Sequence, residues 1–239
     1  FVYWELEDVI GDLKKGKAPG LDLIHPEEIM LLDVHSREFI LRLMNKCFLA
    51  RKIPDAWRTA RVASLYKNKG EDSDPKNYRP ISLLSVLYKI YTRLLHKRIS
   101  KSMEGNLRET QNGFRAKHST SIPIHVVRRL QEMYEKDSTP LYLLFLDWSM
   151  AFDRVDHTAL LESLRRLGIP QTYLTIISDL YDSPSFTVDN GVAPPGHGQC
   201  HAGIRQGCPL SPYLFVMIMT VMMHDVELRM SSDGITDTT

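Results

Sequence analysis

"FLDWSMAFDRVDH", residues 145–157, sets Asp147, Asp153 and Asp156 behind an apolar run, Leu141 to Leu146. A continuous apolar run of this length, ended by a polar residue, reads as a strand covered on both faces. Asp147 stands where that strand would meet water. A carboxylate there is rigidly held yet reachable, which suits a hard, oxygen-seeking cation. Strand-end aspartates also serve as turn formers and caps, so position alone leaves Asp147 open between metal ligand and turn residue. Asp156 reads as the N-cap of a helix in "DHTALLESLRRLG", with Arg165 and Arg166 in its last turn and Gly168 at its stop.

Further along, the pattern predicts a helix from Gln171 to about Tyr181 and a hairpin turn at Asn190-Gly191 of "SFTVDNGV". "GIRQGCPLSP" then supplies a Gly-rich turn with Gln206, whose backbone N–H groups favour phosphate. It runs into an apolar helix with Ser211 as N-cap and Pro212 at the first helical position. Toward the N-terminus, "WELEDVIGDLKKGKAPGLDLIHPEEIM" predicts a helix ended near Gly16, a turn at Pro19-Gly20 and a new helix started by Pro26, with residues 36–50 helical in turn. "ARVASLYKNKG" alternates like a strand and leads into a polar loop from Lys67 to Asn77, which together describe a β-rich cationic flap.

The 239 residues are 43% hydrophobic, enough for one large core or two closely packed subdomains. The formal net charge of +1 hides a division. Between Arg51 and Arg115 stand 15 Lys or Arg against 6 Asp or Glu, leaving 15 basic against 23 acidic residues elsewhere. A basic segment with interleaved aromatics suits a polyanion, through counterion release. Within it, Leu84, Leu87, Tyr88, Tyr91, Leu94 and Leu95 form one helical face and Lys89, Arg93, Lys97 and Lys101 a cationic stripe. The tyrosines lie on the apolar face and read as core.

Cys47, Cys200 and Cys208 are odd in number and show no paired spacing, which argues against a disulfide framework. His197, Cys200, His201 and Cys208 gather in one loop without structural-zinc spacing, and a buried Cys208 is the better reading. The longest apolar run, Tyr213 to Met223, is too short to span a bilayer. These features lead to the expectation of a soluble, intracellular protein with no membrane partner. The start at Phe1 and the ending "SSDGITDTT" lead to the expectation of a piece of something longer.

A candidate metal ligand, a cationic flap carrying Lys67, Lys69 and Arg79, and an anion-friendly turn together describe phosphoryl transfer. "NYRPISLLSVLYKIYTRLLHKRI", "QNGFRAKHST", "FLDWSMAFDRVDH" and "GIRQGCPLSPYLF" follow in the order found in reverse transcriptases, and their wording resembles the non-LTR (LINE-type) retrotransposon enzymes. "KAPGLDLIHPEEI" resembles a further block of that family. The resemblance extends from about Lys17 to Met223.

The resemblance implies an α+β right-hand polymerase fold, truncated before the second catalytic hairpin and the thumb. It assigns 1–50 to a helical extension, 51–139 to fingers and 140–239 to part of the palm. It implies RNA-directed DNA synthesis from an RNA template, a DNA primer and deoxynucleoside triphosphates, with two Mg²⁺ ions or Mn²⁺ as a substitute. By resemblance, Asp147 is the catalytic aspartate that binds both ions, with the Trp148 carbonyl helping at one, and Phe152 is the aromatic gate against a 2′-hydroxyl. Arg79 would stack on the incoming base and reach its triphosphate, Lys67 would lie near the γ-phosphate, and Gln206 and Gly207 would form the nucleotide-side turn, with Gln206 near the sugar. Asp153 is expected to hold structural hydrogen bonds, and Gly113, Phe114 and Arg115 to build the fingers facing template or nucleotide.

Leu23 stands where the family has Gly, and Met150 where a polar residue is commoner. The larger departure is that the sequence contains no Asp-Asp pair, so the Tyr-x-Asp-Asp hairpin of the family is expected beyond Thr239 or lost, and the piece alone is expected not to polymerise. The remaining polyprotein would complete the palm and add a thumb and an endonuclease, in the nucleus or in a cytoplasmic ribonucleoprotein. Two other readings are a domesticated or decayed fold that binds RNA without catalysis, and a group II intron-type reverse transcriptase.

Overall fold

The computed structural model describes residues 1–188 and 196–233. Helices α1 (Tyr3–Gly11), α2 (Pro26–Met30) and α3 (Val34–Ala50) open the chain. Leu6, Val9 and Ile10 put one stripe of α1 into the core, and Glu5 closes its first turn by accepting from the Val2 amide at 2.8 Å. Asp33 caps α3 by accepting from Ser36 N at 2.7 Å.

Strand β1 (Thr59–Tyr66) pairs antiparallel with strand β2 (Tyr78–Leu83) where a β-rich flap is expected, from Arg61 opposite Leu83 to Tyr66 opposite Tyr78. Helix α4 (Val86–Met103) follows and buries Tyr88, Ile90, Tyr91, Leu94, Leu95 and Ile99, so its tyrosines are core. Two of the four residues of its cationic stripe, Arg93 and Lys97, are taken up by ion pairs. Lys97 is 2.9 Å from Asp12, Arg93 is 3.2 Å from Asp12, and Arg98 reaches Glu5 with two nitrogens at 2.8 Å each. Helix α1 and the Asp12 that follows it lie along α4 and pair with Arg93, Lys97 and Arg98, a pairing between distant segments that local charge counting does not see.

Helices α5 (Ser121–Lys136), α6 (His157–Arg166) and α7 (Gln171–Leu180) come next, then β3 (Ser185–Val188), β4 (Gly196–Gln199) and the long α8 (Ser211–Ser232). Asp156 caps α6, accepting from Ala159 N at 2.8 Å. The four strands make one sheet in the order β2-β1-β3-β4, with β1 and β3 parallel and the outer pairs antiparallel. The sheet therefore joins strands from both sides of residue 140. The Asn190-Gly191 turn lies outside the described residues.

Two expectations are corrected. Leu141–Leu146 forms no strand: none of the four strands pairs with it, and Phe145 and Leu146 are 77% and 76% exposed. A strand needs a neighbour for its backbone groups, and neither outer strand of the sheet, β2 or β4, pairs with this run. Ser211 is not the cap of α8 but its first residue. Its side chain is buried, with its hydroxyl 3.2 Å from the Tyr181 hydroxyl, and no side chain caps the helix.

Candidate nucleotide-binding site

The stretch after Asp147 turns sharply: Met150 adopts a left-handed φ of 55°, and its carbonyl accepts from the amides of Asp153 and Arg154 at 3.0 and 3.1 Å. This presents Phe152, half-buried, in parallel stacking against Phe215 of α8 with centroids 5.1 Å apart. Phe114 meets the same ring edge-on at 6.2 Å. Two aromatic side chains from two other segments thus hold one ring in place.

Beside it runs the Gly203–Gly207 segment, fastened by backbone hydrogen bonds. Gly203 N donates to Val155 O at 2.7 Å, Ile204 N donates to Phe152 O at 2.8 Å, and Ser82 N of β2 donates to Gln206 O at 2.8 Å. The Gln206 amide nitrogen donates to Asp153 Oδ1 at 3.0 Å. Gly207 has φ of 120°, and a Cβ there would lie 2.5 Å from the Ser82 carbonyl oxygen. A side chain at 207 would force the turn off β2. Next to the turn, a cavity of about 390 Å³ opens between Val62, Ser82, Phe186, Ile204, Asp153 and Gln206.

Two residues the sequence reading did not single out hold this arrangement. Arg205, 8% exposed, donates to Trp57 O at 3.0 Å and to Arg58 O, with its guanidinium 5.4 Å above the Tyr88 ring. It ties the turn to the start of β1. Its signal was present: a charged residue inside an otherwise apolar Gly-rich turn is there for a partner. Phe215 had no comparable signal, since it is one apolar residue among many in α8. Cys208 is buried as expected and accepts from the Tyr88 hydroxyl at 3.6 Å.

The remaining candidates are not brought to this cluster. Lys67 and Arg79 are exposed at the free end of the β1–β2 flap, and Lys67 Nζ donates to Lys76 O at 2.6 Å. Pro80 and Ser82 line the cavity, so Arg79, one residue out of phase, falls on the opposite face of β2. Arg115 holds its own segment together: it donates to Glu104 Oε1 at 2.8 Å and to Arg108 O at 2.7 Å, and its side chain is 8% exposed. Gly113 sits in the same turn, and Phe114 at φ of 57° points its largely exposed ring toward Phe152. Asp147 and Trp148 are exposed on the unpaired run. Among the described residues no group of three or more His, Cys, Asp or Glu side chains is placed to hold a metal ion.

The sequence pattern of the family "Reverse transcriptase (RNA-dependent DNA polymerase)" matches residues 66–236, from the end of β1 to beyond α8. This chain belongs to that family. It is 33% identical over 221 residues to "RNA-directed DNA polymerase from mobile element jockey" of Drosophila melanogaster, covering 91% of this chain and 24% of the relative. It is 32% identical to the protein of the same name in Drosophila funebris, over 96% of this chain and 25% of the relative. It is also 27% identical to "Retrovirus-related Pol polyprotein from type-1 retrotransposable element R2" of Popillia japonica, over 89% of this chain and 29% of the relative. The matched relatives place this reverse transcriptase chain with the non-LTR retrotransposons, and the group II intron-type reading is not favoured. The chain spans about a quarter of the length of the relatives it matches. No helix among the described residues is long and apolar enough to cross a membrane.

Proposed function

We propose that the full-length protein is an RNA-directed DNA polymerase that extends a DNA primer along an RNA template with deoxynucleoside triphosphates. In this reading the chain contributes the fingers and part of the palm of a right-hand fold. Residues 1–50 form a helical extension and 51–139 the fingers, with β3 and β4 of the 140–239 palm segment paired into the fingers sheet. The template would be met inside the cell, in the nucleus or in a cytoplasmic ribonucleoprotein. The rest of the polypeptide would complete the palm and add a thumb and an endonuclease.

The observation that carries the reading is the junction between the Phe152 turn and the Gln206 turn, two separate motifs locked side by side by Ile204 N to Phe152 O and Gln206 Nε2 to Asp153 Oδ1. In that junction Phe152 would lie under the sugar. Its ring is packed by Phe215 and Phe114 and cannot easily withdraw, so a 2′-hydroxyl would meet carbon where it needs a hydrogen-bond partner. Gly207 leaves its backbone bare for close approach, and Gln206 would read the sugar. Lys67 and Arg79, at the outer end of the β1–β2 pair beyond the residues that β3 and the Gln206 turn hold, would come to the triphosphate only as that end bends toward it.

Divalent metal would supply Lewis-acid assistance to the attack of the primer 3′-hydroxyl on the α-phosphate. The described residues do not by themselves fit a two-ion Mg²⁺ or Mn²⁺ site. Asp147 is the one carboxylate proposed for it and Trp148 offers only its carbonyl, so the donor set is incomplete.

Primer extension by the full-length protein tests the reading. Asp147→Asn is expected to abolish synthesis, and Phe152→Val to raise ribonucleotide incorporation by on the order of tenfold or more. Undiminished extension by the first variant, or unchanged sugar selectivity in the second, overturns it.

A further inference from the structure

We propose that the cavity beside the Gln206 turn is a binding site for a small apolar monocarboxylate, whose acid group pairs with the buried Arg205 guanidinium. The inference stands apart from the polymerase reading, which makes no use of this cavity.

The floor of the cavity is one face of the sheet. Strand residues alternate between faces, and the register aligns Ser64 with Pro80, Val62 with Ser82, and Ala60 with Phe186 on the face that borders the cavity. Apart from Phe186 these side chains are short. The Phe186 ring is laid over Gly198 of β4, where a Cβ would sit 2.5 Å from it. The sheet therefore presents low relief beneath the 200–206 segment, and about 390 Å³ stays open where a close-packed layer would otherwise lie. That volume suits a small organic ligand, and the walls are mostly apolar.

Arg205 supplies the polarity. It borders the cavity and is 8% exposed, yet its partners among the described residues are the uncharged carbonyls of Trp57 and Arg58 and the face of Tyr88, with no carboxylate in contact. A guanidinium has more N–H donors than two carbonyls take up, and a buried charge is costly without a counter-charge. The other charged side chain that borders the cavity, Asp153, already accepts from the Gln206 amide. One cation in an apolar enclosure selects one negative charge on an apolar body. A phosphate dianion would exceed that single counter-charge and leave the apolar walls unmatched.

The test uses the full-length protein and two probes of one shape, naphthalene-2-carboxylate and its primary amide. Isothermal titration calorimetry is expected to show the carboxylate binding about tenfold more tightly than the amide. Cys200 borders the cavity and is half-buried, so its alkylation by iodoacetamide, read by mass spectrometry of its peptide, locates the probe. With the carboxylate at about ten times its Kd, the alkylation rate at Cys200 is expected to fall about tenfold. Val62→Phe fills the cavity from the sheet and is expected to abolish both effects. Arg205→Met is expected to bring the carboxylate down to the affinity of the amide.

Absence of binding, or binding that leaves Cys200 alkylation unchanged, overturns the inference. Equal affinity of acid and amide overturns it as well, because the guanidinium then plays no part. So does a retained preference for the acid in a folded Arg205→Met, or retained protection of Cys200 in Val62→Phe. Should Arg205→Met prove unfolded by circular dichroism, Val62→Phe and the comparison of the two probes decide alone. None of these readouts depends on primer extension, so failure of the polymerase reading leaves the result standing.

Discussion

Gly207→Ala separates a scaffolding role from a substrate-contact role at the turn proposed to face the nucleotide. The structure gives this glycine a reason to exist before any nucleotide arrives. At φ of 120° an alanine is strained, which costs on the order of 1–3 kcal/mol. Its Cβ would also sit 2.5 Å from Ser82 O, a backbone atom near the end of β2 that cannot rotate away. Relieving the clash moves the turn and breaks the 2.8 Å bond from Ser82 N to Gln206 O, adding about 1 kcal/mol. The sum is about 2–4 kcal/mol. For a chain of this size each kcal/mol shifts the melting temperature by about 2–4 °C, so a fall of roughly 5–15 °C is expected. Thermal unfolding followed by circular dichroism, with no nucleotide present, measures it. Gly11→Ala is the control, because a Cβ there meets nothing within 4 Å and α1 gains a better helix former. A Gly207→Ala melting temperature within 2 °C of the unaltered protein would refute the packing argument and leave close approach of a ligand as the reason for the glycine.

Leu23 has φ of 56° and an exposed side chain, so Leu23→Gly removes a left-handed penalty of about 1–2 kcal/mol against a glycine entropy cost of about 0.5–1. A small rise in melting temperature is expected, and a fall contradicts the strain. Arg205→Met strips the Trp57 carbonyl of its partner and should destabilise by about 1–3 kcal/mol, with a shift in tryptophan emission as Trp57 loosens; identical emission and stability would show that Arg205 holds nothing. The hydrogen bonds from Arg98 hold the Glu5 carboxyl below its usual 4.5, and the Lys97 ammonium holds Asp12 below 3.8. A depressed folded pKa means stability that is complete above those values and lost as pH falls through the folded ones. Acid titration of stability should therefore be shallower in Glu5→Gln than in the unaltered chain, and equal slopes would argue against the pairing.

What was legible in the sequence was what is decided locally. The Asp156 cap, the apolar face of α4 and the strand at β1 each depend on neighbours within a few residues, and each stands in the structure, though the burial along β1 does not alternate. The features that depend on distant partners were not legible. The stripe Lys89, Arg93, Lys97 and Lys101 reads as a polyanion surface, but Asp8 and Asp12, about 85 positions away, take up Arg93 and Lys97 from its middle. Arg205 could be flagged as unusual, but its partners at Trp57 and Arg58 are set by the sheet. Leu141–Leu146 has the composition of a buried strand, yet composition states only that partners are wanted. The run and the exposed Ile122, Val126 and Met133 of α5 are apolar surface with no cover among the described residues.

That contrast divides the proposed site into two halves of different mechanical standing. The sugar side, Phe152, Asp153, Gln206 and Gly207, is tied by backbone bonds to β2 and by ring stacking to α8, so it is preorganised in this chain. The metal side, Asp147 and Trp148, rides on a run whose backbone joins no strand. The two halves should therefore respond differently to substitution in the isolated chain. Phe152→Ala removes a packed ring and should destabilise by about 1–3 kcal/mol, less than the figure for a fully buried Phe because the ring is half-exposed. Asp147→Asn touches a solvated carboxylate and should leave the melting temperature within about 1 °C. If Asp147→Asn shifts the unfolding transition as much as Phe152→Ala does, the carboxylate is already engaged in the isolated fold, and the division between a finished sugar side and an unfinished metal side is wrong.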